Sequence, residues 1–215
     1  SYSCYETVEE TFAQAQAFVA AKPALAAWVD VGDSWEKTQG LGGHDMQVLK
    51  LTNSAVAGDK PKLFVNSAIH AREYTTAPLV LEFARWLVNG HGVNADATWI
   101  LDHHEVHLML HANPDGRKKA ESGLSWRKNT NQAYCGATSN TRGADLNRNF
   151  SWEWQAADGG PAPLSGPEGK TMTVLVERLQ NVRGVGSVSI IGGLERRIQV
   201  QMNPAALEAQ GIGVD

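Results

Sequence analysis

Lys62-Leu63-Phe64-Val65-Asn66-Ser67-Ala68-Ile69-His70-Ala71-Arg72-Glu73-Tyr74-Thr75-Thr76 is the stretch that decides the fold. Lys62 to Ala68 is a short run around the apolar Leu63-Phe64-Val65, the pattern of a strand buried on both faces. It runs into a polar segment, after which Thr75 or Thr76 can cap a helix with Pro78 in its first turn. That helix is expected to bury Leu79, Phe83, Trp86 and Leu87 on one face and to end near Gly90.

Working outward, Phe12 to Ala21 carries apolar residues at helical spacing and is followed by Pro23, which a helix does not readily continue through. Ala27 to Val31 and Met46 to Leu51 read as strands before the central one. Glu105 to Leu110 reads as another after it, closed by a turn at Asn113-Pro114-Asp115-Gly116. Strands interleaved with helices predict an α/β fold, a mixed sheet with flanking helices. Residues 156–169 are so rich in Gly and Pro that they read as a linker between residues 1–155 and a tail at 170–215. The tail reads as an α-β-β-α unit: a helix over Thr171 to Asn181, strands at Gly186 to Ile191 and Arg196 to Met202, and a helix at Pro204 to Gln210. It is expected to pack only loosely on the rest.

Composition narrows the function. The chain has 215 residues, 42% hydrophobic and 20% charged, enough to bury a core. Its 19 Lys+Arg and 23 Asp+Glu leave a net charge of −4 without a basic stripe, which argues against nucleic acid or an anionic membrane as partner. The most apolar helical stretch, Thr76 to Val88, is broken by Glu82 and Arg85, so no membrane span is expected. The chain begins at Ser1 without an initiator Met, and any leader is expected to have been removed or left out. Cys4 and Cys135 permit one disulfide or two free thiols.

His70 and Glu73 stand three apart at a strand end, where an imidazole and a carboxylate can converge on a zinc ion. The pair alone reads equally as a polar helix entry. The stretch His103-His104-Glu105-Val106-His107 with His111 offers a second metal pattern, but in a strand His107 and His111 share a face that His104 does not.

The ordered set His70-Ala71-Arg72-Glu73-Tyr74, Asn113-Pro114-Asp115-Gly116, Trp126-Arg127-Lys128 and Asp145-Leu146-Asn147-Arg148-Asn149-Phe150 resembles the zinc metallocarboxypeptidase family of the carboxypeptidase A/B type, over about residues 1–155. The resemblance implies an incomplete metallocarboxypeptidase-like domain with Zn2+ held by His70 and Glu73. It implies Arg127 as the group that polarises the scissile carbonyl and stabilises the oxyanion. Asn147 and Arg148 would hold the terminal carboxylate of a peptide or protein substrate, and Arg72 would line its approach. Asp145 and Asn149 read as turn-forming Asx residues. A secreted or extracytoplasmic location is implied in the same way.

The pattern also breaks. The family's third zinc ligand is a later histidine, and no histidine follows His111. Its capping tyrosine and general-base glutamate come later still, and Tyr134 is the last tyrosine; Glu168, Glu177, Glu195 and Glu208 match no motif. The tail, about residues 171–215, is instead similar to a porter-domain segment of resistance-nodulation-division efflux pumps, which suggests a fused or rearranged coding sequence. The reading is a zinc-dependent peptidase releasing C-terminal residues, incomplete and weakly active or inactive as this chain. Its alternative is a non-catalytic fused fragment serving as a binding or structural module.

Overall fold

A computed structural model describes residues 4–134 and 142–180. The elements are α1 (Val8–Ala21), β1 (Ala26–Asp33), α2 (Trp35–Thr38), β2 (Asp45–Leu51), β3 (Lys62–Asn66), α3 (Thr76–Gly90), α4 (Ala95–His103), β4 (Glu105–Met109), α5 (Pro114–Glu121), a 3-10 turn at Leu146–Arg148 and α6 (Pro167–Gln180). The four strands form one mixed sheet in the order β1-β2-β4-β3. β1, β2 and β4 pair antiparallel, and β3 joins β4 in parallel.

At its centre the sheet is covered on both faces because β2 and β4 carry apolar side chains at both parities; β3, expected to be buried on both faces, lies instead at the edge with Leu63 47% exposed, since it has a strand neighbour on one side only. Leu49, Leu51, Val106 and Leu108 face α1, α3 and α4, meeting Phe18, Leu81, Leu87 and Leu101. Met46, Val48 and Met109 face the other way and are sealed by Met172, Leu175 and Leu179 of α6. Each such side chain, fully buried, stabilises the fold by about 1.5–3 kcal/mol relative to exposure. The close seat of α6 needs glycine at position 32, since a Cβ there would stand 2.6 Å from Thr171 Oγ1.

Helix α1 starts earlier than its apolar spacing predicts. Thr7 and Glu10 form a capping box, with Glu10 N donating to Thr7 Oγ1 (3.2 Å) and Thr7 N donating to Glu10 Oε2 (2.8 Å). Helix α3 has the predicted span and a partly different inner face: Leu87 is buried and Phe83 packs against the core as expected. Leu79 is 71% and Trp86 41% exposed, while Ala77, Val80, Leu81, Ala84, Leu87 and Val88 are buried. Two stripes of helical period coexist in this segment, and the one with smaller residues lets the helix approach the sheet more closely.

Asn113-Pro114-Asp115-Gly116 is not a free-standing turn. It opens α5, with Asn113 as N-cap, its Oδ1 accepting from Gly116 N (3.1 Å), and Pro114 in the first turn. Helix α4, with Asn94 as its cap, has no counterpart among the elements predicted from sequence.

The Gly/Pro-rich stretch is likewise not a loose linker. Asn149, fully buried, donates from Nδ2 to Gly159 O (2.6 Å), Ala162 O (3.2 Å) and Ser165 Oγ (3.1 Å), and its Oδ1 accepts from Gly166 N (3.0 Å). Helix α6 begins inside that stretch, at Pro167. Glu168 in its first turn is buried, accepting from Trp35 N (2.9 Å) and Asn129 Nδ2 (3.1 Å). Backbone irregularity invited the linker reading; side-chain hydrogen bonds that sequence does not display give the stretch its order. The predicted tail elements at 186–191, 196–202 and 204–210, the efflux-pump resemblance beyond 180 and Cys135 lie outside the described residues.

Two outcomes are expected. Asn149→Ala should lose about 2–4 kcal/mol of stability, from several buried hydrogen bonds at roughly 1 kcal/mol each. Limited proteolysis should then cut residues 156–166, a stretch that resists in the parent chain. The second concerns His44, whose Nδ1 lies 2.7 Å from Asp115 Oδ1 and whose Nε2 lies 3.6 Å from Glu9 Oε1. The hydrogen bond to Asp115 raises the imidazole's pKa, against burial that lowers it. A raised histidine stabilises fully below its free value of about 6.5 and loses that contribution as pH climbs through the folded value. The difference in urea midpoint between the parent and His44→Gln should therefore be largest near pH 6 and shrink toward pH 8.

Candidate active site

The site is built where β3 leaves the sheet. Pairing continues one residue past the strand, with Ser67 N donating to Met109 O (2.9 Å). Ala68 then takes a left-handed conformation, φ 51°, uncommon for a residue with a Cβ. Thr76 holds this bend by accepting from Ala68 N (2.9 Å) and donating to Glu73 O (3.1 Å). The first helical turn thereby fixes both ends of the loop that carries His70 and Glu73. Sequence suggested a helix cap for Thr75 or Thr76; Thr75 occupies the cap position without a side-chain cap bond.

A second anchor is Asn113. Its Nδ2 donates to Lys128 O (3.0 Å) and Ile69 O (3.3 Å), joining the His70 loop to the segment carrying Arg127. Ala71 N also donates to Arg127 O (3.2 Å). Gly116 permits this crossing, because a Cβ there would lie 2.7 Å from Lys128 O.

His70 Nδ1 stands 2.8 Å from Glu73 Oε1, and its Nε2 is 3.3 Å from Asp145 Oδ1. Arg127 Nε donates to Asp145 Oδ2 at 2.8 Å. One carboxylate therefore touches the imidazole with one oxygen and the guanidinium with the other. Burial alone would raise the Asp145 pKa, but the contacts with His70 and Arg127 outweigh it and hold this group well below the usual carboxylate range. Asp145 does form the Asx cap expected of it, accepting from Asn147 N (3.0 Å). Sequence reasoning stopped there and missed its second task. The available signal was an acidic residue beginning the same run as Asn147 and Arg148.

Asn147 and Arg148 occupy the 3-10 turn that Asp145 caps. Arg148 is exposed, and its Nη1 donates to Asn147 O (3.1 Å). Both residues line a cavity of about 450 Å3 whose walls include Phe150, Trp152 and Thr173. Arg72 is exposed and donates to Ser125 Oγ at 3.3 Å. His70, Glu73 and Arg127 are thus gathered around Asp145. Asn147 and Arg148 follow it on the adjoining turn, and Arg72 stands apart on the surface.

The donor set fits part of a zinc site. Two ligands of a tetrahedral zinc lie about 3.3 Å apart, close to the His70–Glu73 separation, and a carboxylate behind the far imidazole nitrogen is the usual orienting partner. His70 Nε2 is buried and lacks a partner in hydrogen-bond geometry, so a small shift toward Asp145 would satisfy it. The fit ends at two ligands. Among the described residues no group of three or more His, Cys, Asp or Glu side chains could hold a metal ion. The histidines of the second pattern go elsewhere: His104 lies tilted against Trp99 (4.7 Å), His107 meets Glu105 Oε2 (3.0 Å), and His111 is buried beside Phe12 (5.8 Å).

A mixed sheet that delivers an imidazole and a carboxylate at the carboxyl end of its parallel strand, with a guanidinium joined to them through Asp145, defines an α/β domain with a partial candidate metal site. The chain belongs to the zinc carboxypeptidase family, whose sequence model matches residues 12–194. That match extends well past residue 155, where the resemblance read from sequence ended. Carboxypeptidase A2 of Mus musculus is 32% identical over 171 residues, 78% of this chain and 36% of the relative. Carboxypeptidase A1 of Sus scrofa is 30% identical over 80% of this chain and 38% of its own. The chain therefore spans under two-fifths of the length of these relatives. Among solved structures, thrombin activatable fibrinolysis inhibitor matches with a TM-score of 0.71 at 22% identity, covering 84% of this chain and 45% of its own. Carboxypeptidase A of Helicoverpa armigera matches with 0.69 at 24%, covering 82% and 43%. These establish the shared fold. No helix among the described residues is long and apolar enough to cross a membrane.

Asp145→Asn should cost about 2 kcal/mol, the scale of a lost hydrogen bond to a charged group. It should also release the His70 ring, read as a change in its NMR chemical shifts. Because the Asp145 pKa is depressed, its contribution is complete above about pH 4 and is lost as pH falls toward its folded value. The variant should therefore lose less stability than the parent on acidification.

Proposed function

We propose that this chain carries the substrate-binding side of a zinc carboxypeptidase-type site that recognises the C-termini of peptides, with release of the terminal residue weak or absent in the chain as it stands. The observation that carries this reading is the Asp145 carboxylate, which holds His70 (3.3 Å) and Arg127 (2.8 Å) in one assembly. His70 and Glu73 are the residues that would hold zinc, and zinc would supply Lewis acidity toward a water and the scissile carbonyl. Arg127, fixed through its Nε, keeps its terminal nitrogens available to a developing oxyanion. Arg148, with Asn147, offers a planar guanidinium fork to a terminal carboxylate. Arg72 lines the approach. The family's extracytoplasmic setting belongs to the same proposal.

No general base is assigned. Glu168, the one buried acidic residue among the described residues after 155, is occupied by Trp35 N and Asn129 Nδ2, and burial raises its pKa. Lack of a positioned base costs about 10²–10⁴-fold in rate, and a two-ligand metal adds to that deficit. The two-ligand geometry equally favours a second reading, a binding module that recognises C-termini without turnover.

Purified chain should be titrated with zinc and with peptides ending in aromatic, aliphatic or basic residues, each with a free and an amidated C-terminus. Zinc should bind more weakly than at a three-ligand site and lose affinity in His70→Ala. Free-carboxylate peptides should bind weakly, and Arg148→Ala or amidation should abolish binding. Robust, chelator-sensitive release that disappears in Glu73→Ala would overturn the incompleteness of the site. Binding indifferent to amidation would overturn recognition of C-termini.

A further inference from the structure

Arg117, on α5, is the largest fully buried side chain among the described residues, at 0% exposure. Its guanidinium lies 3.8 Å from the centroid of the Tyr74 ring. Its polar contacts are few: Nη2 donates to Glu6 O (3.1 Å), and Nε lies 3.5 Å from Glu121 Oε1. Nε and Nη1 are buried without hydrogen-bond partners. Desolvating a cation with so few partners is costly, and an aliphatic side chain of similar length would fill the space more cheaply. What the cation touches is the residue directly after Glu73.

Tyr74 is held from several sides. Tyr5 packs against it, ring centroids 5.8 Å apart, and it rests on the cluster of Ala71, Ala120 and Trp126. The other ties of this loop run from Ala71 N to Arg127 O, from Glu73 N to His70 O, from Thr76 Oγ1 to Glu73 O and, at the surface, from Arg72 Nη1 to Ser125 Oγ. None acts on the direction of the Glu73 side chain. His70 has Asp145 behind it, whereas the hydrogen bond of the Glu73 carboxylate is to His70 itself. Pinning the aromatic ring of residue 74 inward leaves the neighbouring Glu73 side chain to project toward His70. A desolvated guanidinium against a ring face is a strong way to pin it.

We infer that Arg117 is a positioning residue for the Glu73 end of the loop, acting through the stack on Tyr74 and setting the approach of the Glu73 carboxylate to His70 Nδ1. The consequence for metal binding rests on the reading of His70 and Glu73 as zinc ligands. The consequence for loop geometry does not.

The test uses the full chain with Arg117→Met, which keeps length and removes the cation, and Arg117→Lys, which keeps the charge and removes the flat face. Thermal midpoint, amide hydrogen exchange and calorimetric zinc titration are measured together, with His70→Ala as control. In Arg117→Met the thermal midpoint should hold or rise. The Ala71 and Glu73 amides should exchange about tenfold faster or more while those of β4 do not change, and zinc affinity should fall by about tenfold, the scale of losing an orienting partner. Arg117→Lys should be intermediate in exchange and affinity. Unchanged Ala71 and Glu73 exchange, or acceleration shared equally with β4, would overturn the inference. Should the Met variant fail to fold, the Lys variant decides by the same exchange criterion. If zinc binding to the parent is indifferent to His70→Ala, the zinc reading fails, and exchange alone still decides whether Arg117 positions the loop.

Discussion

The Asn113 side-chain amide is the joint on which the site hangs. It is fully buried, so each of its polar atoms must find a partner inside the protein. Its oxygen satisfies the first turn of α5, and its nitrogen reaches main-chain oxygens on both sides of the cleft, Ile69 before His70 and Lys128 after Arg127. A single planar group thereby ties the His70 loop to the segment carrying Arg127, and the close approach requires a residue without a Cβ at 116. Asp145 approaches from a third segment, with one carboxylate oxygen beside His70 and the other accepting from Arg127.

The charge arrangement follows from this packing. A carboxylate shared by an imidazole and a guanidinium is held well below the usual carboxylate range although it is largely buried, since the two hydrogen bonds and the Arg127 charge outweigh desolvation. Arg117 and Asp145 are contrasting solutions to burying charge near one loop. Asp145 is matched by hydrogen-bonded partners on both oxygens, while Arg117 has an ion pair with Glu121 at 3.5 Å, an aromatic face and a backbone carbonyl. Glu168 shows a third, a buried carboxylate held by an amide and a backbone N–H, with burial moving its pKa up.

The Gly/Pro-rich segment shows where local reading fails. Its composition disfavours regular structure, which holds up to Pro167 where α6 begins, but irregular backbone is not the same as loose backbone. Asn149 supplies the hydrogen bonds that regular structure would otherwise supply, and α6 then seals the second face of the sheet with Met172, Leu175 and Leu179. The inner face of α3 fails for a related reason. Two apolar stripes have the same period, and periodicity cannot say which one a neighbouring sheet will accept.

The sequence by itself determined the elements whose signals are local. The apolar runs of β2, β3 and β4, the Pro78 and Gly90 bounds of α3, the α/β class and the family to which the ordered motifs belong could all be read from residue order. It also named His70, Glu73 and Arg127 as residues to examine. Only the tertiary structure decided that Asp145 joins them, that Asn113 caps α5 while bridging two loops, that Asn149 organises the segment after it, and that Arg117 lies beneath Tyr74. Those decisions concern side chains brought together from distant parts of the chain. Hydrogen-bond direction, burial and the balance of desolvation against charge are properties of the assembled site, and no spacing along the chain encodes them.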